Sequence, residues 1–183
     1  MTNQKEVEIR YQLRDEAEIV QVRNALSKLH WVPCDPVRQE DFYFCNAALK
    51  DAGKTKESPF VLRVRSGGDE ARLTYKSFNG ATDGSWIEIE SSISNPDAMK
   101  SILAAIGLAE YVRIIKTRES GHIQDVELNL DHIEGLGSFV EMEVMTNDVE
   151  KGRRHLRSIA ASLGIPDSQV VTVGYVQLVE DKM

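Results

Sequence analysis

The feature that most constrains this chain is a two-residue rhythm in which charges of one sign share a strand face and apolar residues hold the other. In Glu6-Val7-Glu8-Ile9-Arg10 the two acids and the base lie on one side and Val7 and Ile9 on the other, because successive strand side chains point to opposite faces. Phe60-Val61-Leu62-Arg63-Val64-Arg65 sets two arginines against Phe60, Leu62 and Val64. Glu88 and Glu90 alternate with Ile87 and Ile89; Glu127, Asn129 and Asp131 alternate with Val126, Leu128 and Leu130. Glu141 and Glu143 alternate with Val140, Met142 and Val144, while Lys116 and Arg118 form another like-charged pair and Thr74 and Lys76 share a face.

A single such strand is explained by a half-buried sheet with one face in water. The repetition is not. Like charges two residues apart repel, and a soluble sheet ordinarily mixes Thr, Ser, Lys and Glu on its wet face. Paired acids suggest a divalent cation held by carboxylate oxygens. Paired bases suggest a phosphate chain, whose oxygens match the arginine fork. Neither Glu141 nor Glu143 has a basic neighbour on the same face of its own strand.

Eight segments read as strands: 6–13, 39–44, 60–66, 71–78, 86–92, 112–119, 122–131 and 138–145. Ser120-Gly121 and Gly67-Gly68-Asp69 suit hairpin turns, and Asn79-Gly80 and Asp83-Gly84 punctuate the approach to Trp86. Three amphipathic helices are expected: from Asp15 to His30, from Asn95-Pro96 to Gly107, and from Asn147, with Glu150 three residues on, to near Gly164. The segment 47–59 is polar and reads as a loop. These elements predict an α+β fold, a closed eight-stranded antiparallel β-barrel with a charged interior, its apolar outside covered by helices. Such a tunnel has room for one extended triphosphate and its metal.

At 183 residues and 42% hydrophobic, the chain is expected to form one domain, residues 1–183, with a real core. No apolar run approaches the ~20 residues that span a bilayer, and the N-terminus lacks the apolar stretch of a secretory signal. A net charge of −7 argues against nucleic acid and anionic membrane as partners. Two cysteines, Cys34 and Cys45, in no metal or CxxC spacing, fit a cytoplasmic protein with reduced thiols.

The motifs, taken in order, resemble the CYTH superfamily of triphosphate tunnel metalloenzymes. Glu6-Val7-Glu8-Ile9-Arg10 is similar to the ExExK signature, with arginine in place of lysine, and Gln39-Glu40-Asp41-Phe42-Tyr43-Phe44 to the QxDxYF strand. Leu62-Arg63-Val64-Arg65, Leu73-Thr74-Tyr75-Lys76, the Glu88–Glu90 pair and the Lys116–Arg118 pair follow in family order. Glu134-Gly135-Leu136-Gly137-Ser138-Phe139-Val140-Glu141-Met142-Glu143 resembles the EGLGxFxExE element, and Gly174-Tyr175-Val176-Gln177-Leu178 the terminal SYxxL motif. The wording is most similar to the class IV adenylyl cyclase branch.

The resemblance implies a metal-dependent enzyme that takes ATP or another triphosphate, with Mg²⁺ or Mn²⁺ as cofactor and a homodimer as assembly. It implies Glu6, Glu8, Glu141 and Glu143 as metal ligands. Arg10, Arg63, Arg65, Lys76, Lys116 and Arg118 would grip phosphate, with Lys76, Lys116 and Arg118 stabilising charge on the leaving group. Glu88 and Glu90 are left with three roles: orienting the basic residues, holding a second metal or contacting a nucleoside. Asp131 is either a further ligand or a partner for Arg63. Three activities stay open: cyclisation of ATP, hydrolysis of a triphosphate, and binding without catalysis.

Overall fold

The computed structural model describes residues 5–68, 70–77 and 87–182. The elements run β1 (Lys5–Gln12), α1 (Glu16–Lys28), β2 (Val37–Asn46), α2 (Ala47–Asp51), β3 (Phe60–Ser66), β4 (Ala71–Ser77), β5 (Ile87–Ile93) and α3 (Pro96–Ala105). They continue with β6 (Leu108–Ile123), β7 (Val126–Ile133), β8 (Gly137–Thr146), α4 (Val149–Ser162), β9 (Val170–Val171) and α5 (Tyr175–Glu180). The calls at Asn79-Gly80, Asp83-Gly84 and Trp86 lie outside the described residues, as does Asp69.

The chain folds as two compact units, residues 1–37 with 116–174, and residues 38–115 with 175–183. In the first, Val7, Ile9, Val140, Met142, Val144 and Leu128 pack with Val22 and Leu26 of α1, Leu156 and Ile159 of α4, and Leu163 just past its end. In the second, Phe42, Phe44, Leu62 and Val64 pack with Leu103 of α3. The apolar strand faces are therefore the ones the helices cover, as alternation requires.

Helix starts follow local chemistry. Asp15 caps α1 by accepting from Glu18 N, and Asn95 caps α3 by accepting from Ala98 N ahead of Pro96. The cap of α4 is Asp148, which accepts from Lys151 N at 3.0 Å, and not the expected Asn147. The expected loop 47–59 contains α2, capped by Asn46, and a 3₁₀ turn at Thr55–Glu57.

The expected closed eight-stranded barrel is corrected to an open nine-stranded sheet, in the order β5-β4-β3-β2-β6-β7-β8-β1-β9. Every ladder with a described register is antiparallel. The ninth strand pairs only at Arg10↔Val171 and Tyr11↔Val170, too short to offer a ladder to another strand. At the other edge, Ile87 and Ile89 were expected beneath helices but are 48% and 61% exposed. No helix among the described residues is long and apolar enough to cross a membrane.

A second correction concerns Ser120-Gly121, which is no turn. β6 runs through it, and the chain reverses at Gln124-Asp125, flanked by the pair Ile123↔Val126, with Gln124 at φ 56°. Gly121 is needed for a different reason: an added Cβ would lie 2.5 Å from Trp31 Nε1 and 2.8 Å from the Val32 carbonyl oxygen. Cys34 N donates to the Ser120 carbonyl beside it. We expect Gly121→Ala to cost about 1–3 kcal/mol by overpacking. Gly174→Ala, whose Cβ would meet nothing within 4 Å, should be near neutral. Urea unfolding of the two variants measures the difference.

Candidate functional site

In the first unit the ladders turn strand alternation into a two-dimensional charge array. Glu8 stands opposite Glu143 and Glu143 opposite Glu127; Arg10 stands opposite Glu141 and Glu141 opposite Asn129. Carboxylate oxygens of Glu8, Glu141 and Glu143, one from each, all lie within 4.8 Å of one another. Glu6 sits on the same face of β1, opposite Met145, outside that trio.

Bases from neighbouring strands enclose the acids. The Arg10 guanidinium donates to Glu141 Oε2 from Nε at 2.9 Å and from Nη2 at 2.6 Å, and also to Glu8. Arg118 Nη2 donates to Glu141 Oε1 at 2.7 Å. Arg118 also spans Asp131 with two bonds, at 2.7 and 2.5 Å, and Lys116 Nζ reaches the same carboxylate at 3.2 Å. Lys116, Asp131 and Glu141 are all buried. Of the two roles left open for Asp131, the structure gives it partners in Arg118 and Lys116, while Arg63 is bonded elsewhere.

Protonation follows from this geometry. Burial alone would raise the Glu141 pKa, but Arg118, Arg10 and Lys116 outweigh it and hold the group well below the carboxylate range. Asp131 is held down in the same way, burial being outweighed by Arg118 and Lys116. Glu143 goes the opposite way. Burial, then repulsion from Glu141, Glu6, Glu8 and Glu127, pushes it up to about 8. An excess of carboxylates around a group that resists losing its proton is a donor set suited to a hard divalent cation.

The second unit carries a separate charged face. Arg65 forks onto Asp41, Nε to Oδ1 at 2.6 Å and Nη2 to Oδ2 at 2.7 Å, with Asp41 2% exposed. Arg63 Nη2 donates to Thr74 Oγ1 at 3.0 Å and lies 3.5 Å from Glu90 Oε1, and its buried Nε has no hydrogen-bond partner among the described residues. Thr74 donates to Glu90 at 2.6 Å, Arg72 approaches the same carboxylate at 3.4 Å, and Lys76 pairs with Glu88 at 2.8 Å. Glu88 and Glu90 thus each lie against a basic side chain of a neighbouring strand.

Sequence reasoning gave no role to Glu127, Asn129, Ser120 or Arg72. Ser120 Oγ donates to Asn129 Oδ1 at 2.6 Å, and Asn129 Nδ2 donates to Glu127 at 3.3 Å. The alternation of Glu127 and Asn129 with Val126 and Leu128 was the available signal. Arg72 stands two residues before Thr74, on the face it shares with Lys76, so the same alternation was available for it.

The shifts predict how stability depends on pH. Glu143, with a folded pKa raised from 4.5 to about 8, contributes stability that is full below about pH 4.5 and is lost as pH rises through 8. Glu141 and Asp131, both depressed, contribute stability present above their unfolded pKa values and lost in acid. The cation-free protein should therefore melt lower at pH 8.5 than at pH 6, by about 2–4 °C for each kcal/mol of penalty. Glu143→Gln should flatten the decline, and millimolar Mn²⁺ should reverse it in the parent protein. Scanning fluorimetry across pH reads all three effects.

Comparison with known proteins bears on the family and the fold. Residues 4–175 match the CYTH domain. A Methanocaldococcus jannaschii protein carrying a provisional adenylate cyclase name is 30% identical over 177 residues, 94% of this chain and 97% of that protein. A solved Pyrococcus horikoshii structure superposes with a TM-score of 0.79 at 22% identity, covering 95% of this chain and 99% of that one. An adenylyl cyclase candidate from Hippeastrum, described as having a dominant triphosphatase activity, gives a TM-score of 0.69 at 20% identity, covering 97% and 96%. Charge pattern, fold and sequence relationship lead to one conclusion: the chain belongs to the CYTH domain family.

Proposed function

We propose that this protein is a divalent-cation-dependent enzyme acting on a triphosphate, and that its reaction is the class IV cyclase one, ATP to cyclic AMP and pyrophosphate. The observation that carries the reading is the carboxylate trio Glu8, Glu141 and Glu143 within 4.8 Å, on the face that also presents Lys116 and Arg118. The adenylate cyclase name of the Methanocaldococcus relative favours cyclisation.

In this reading Glu8, Glu141 and Glu143 hold Mg²⁺ or Mn²⁺, with Glu6 adding negative potential. The bound cation would neutralise phosphate charge and polarise the phosphorus–oxygen bonds. Lys116 and Arg118, oriented by Asp131, stabilise charge as it grows on the departing pyrophosphate. On the second unit, Arg63, Arg65 and Lys76 form a basic face whose chemistry suits phosphate oxygens, with Glu90, Asp41 and Glu88 setting their direction. The 3′-hydroxyl of ATP gives up its proton to solvent and attacks the α-phosphorus; a new ester oxygen–phosphorus bond forms, and the bond from the α-phosphorus to the bridging oxygen breaks as pyrophosphate leaves with the electron pair.

A second reading is hydrolysis of a triphosphate, with water as nucleophile. It is favoured by the triphosphatase activity described for the Hippeastrum protein of the same fold. The test is incubation with ATP, inorganic triphosphate and thiamine triphosphate, each with Mg²⁺ or Mn²⁺. Cyclic AMP and pyrophosphate from ATP support the first reading, and orthophosphate supports the second. Binding by calorimetry without product from any of the three would leave a non-catalytic binder.

The two arginines of β3 should separate binding from folding. Arg63→Ala removes a guanidinium whose Nε has no hydrogen-bond partner among the described residues. It should weaken both ATP and inorganic triphosphate by about 1.5–3 kcal/mol, the scale of a hydrogen bond to a charged group. Arg65→Ala removes both short bonds of the Arg65 fork from the buried Asp41 carboxylate and should destabilise the fold by about 3–5 kcal/mol. Calorimetric titration with denaturant unfolding distinguishes the two.

A further inference from the structure

The arginine that stands where the family signature has lysine makes contacts that an ammonium could not make together. Arg10 gives Nε and Nη2 to Glu141, Nη2 to Glu8, and Nη1 to the Val173 carbonyl oxygen at 3.1 Å. Its side chain is only 12% exposed. Its backbone simultaneously pairs with Val171, half of the two-residue ladder that forms β9. One residue therefore touches two carboxylates of the acidic trio and the segment 171–173.

We propose that Arg10 is a positioning residue that clamps Glu8 and Glu141 and ties the segment 170–173 to them, so that the cation site and this segment are energetically coupled. The assignment rests on the reading of that trio as the cation site, and it differs from assigning Arg10 to substrate phosphate. Three properties of the guanidinium support it. Its planar fork can meet several acceptors in fixed directions, whereas an ammonium is a point charge on a flexible stem. A ladder of two residues is a marginal attachment by itself, and beside the packing of Val170 on the core and the Gln169 bond to the Gln12 carbonyl, the Arg10 bond to the Val173 carbonyl is what ties the segment to the acidic trio. Groups that orient metal-ligating carboxylates commonly change metal affinity by about 10–100-fold when replaced.

Coupling of this kind is reciprocal. Whatever loosens the segment 170–173 also loosens the carboxylates, and whatever orders the carboxylates protects the segment. The chain continues from Val173 through Gly174 into α5, so the clamp lies where the chain leaves the first unit.

The test compares the parent protein with Arg10→Lys, and with Arg10→Gln as a second variant lacking the charge. Three quantities are measured: Mn²⁺ affinity by calorimetry without nucleotide, amide hydrogen exchange of residues 170–173, and affinity for inorganic triphosphate without metal. In Arg10→Lys, Mn²⁺ affinity should fall by about 10-fold or more, and exchange of residues 170–173 should accelerate by at least as much. Metal-free triphosphate affinity should stay within about twofold, and the rest of β1 and β8 should keep its exchange protection. Arg10→Gln should show the same two losses. Unchanged Mn²⁺ affinity and exchange, with triphosphate binding weakened, would overturn the clamp and return Arg10 to the phosphates. Lost Mn²⁺ affinity with unchanged exchange at 170–173 would overturn the coupling. Absence of Mn²⁺ binding in the parent protein itself would instead refute the cation reading on which the clamp rests.

Discussion

The buried carboxylate of Glu141 is the constraint around which the rest of the first unit is arranged. A charge taken out of water costs several kcal/mol unless its oxygens are bonded to charge of opposite sign. Glu141 meets this requirement with Arg10 from β1 and Arg118 from β6, its own strand supplying neither. Arg118 in turn is shared with Asp131, which also holds Lys116. The position of each base is thus set by a carboxylate, and the carboxylates are set by the ladder register. The network stands on one face because the opposite face, from Val7 to Met142, is occupied by α1 and α4.

The same principle, with the signs balanced differently, organises the second unit. Asp41 binds the fork of Arg65, and Glu90 gathers Thr74, Arg63 and Arg72. Acids here act as holders for bases, leaving basic groups oriented before any ligand arrives. In the first unit the excess is acidic, and Glu143 bears it: it has like-charged neighbours on both adjacent strands, and burial strengthens their repulsion. Preorganised charge of this kind stabilises a ligand without the cost of turning dipoles when it binds. A site built this way gives up some apo stability for readiness to bind, a trade that the raised Glu143 pKa makes visible.

Periodicity made much of this legible in advance. Which residues of β1, β3, β5, β7 and β8 share a face followed from counting by two, and the cap Asn95 followed from local hydrogen-bonding chemistry. Errors occurred where two local signals competed. Ser120-Gly121 carried the stronger turn composition, but the reversal occurs at Gln124-Asp125, which contains no glycine. The glycine at 121 answers to Trp31, ninety residues away in the chain, and no local rule detects that. Likewise α2 within 47–59 is only five residues long, below the length at which hydrophobic spacing is informative.

By itself, the sequence determined which side chains stand on each strand face, that one face is charged and the other apolar, and which family the chain resembles. These are properties of alternation, which depends only on the backbone's two-residue repeat. Tertiary structure decided which charges meet. The like-signed pairs read along each strand become opposite-signed contacts across strands: Arg10 with Glu141, Arg118 with Asp131 and Glu141, Arg65 with Asp41. It also decided that the sheet ends at β5 and β9 instead of closing. Register and edge pairing are set by hydrogen bonds between segments far apart in the chain, and a strand's own residues carry no record of the partner beside them.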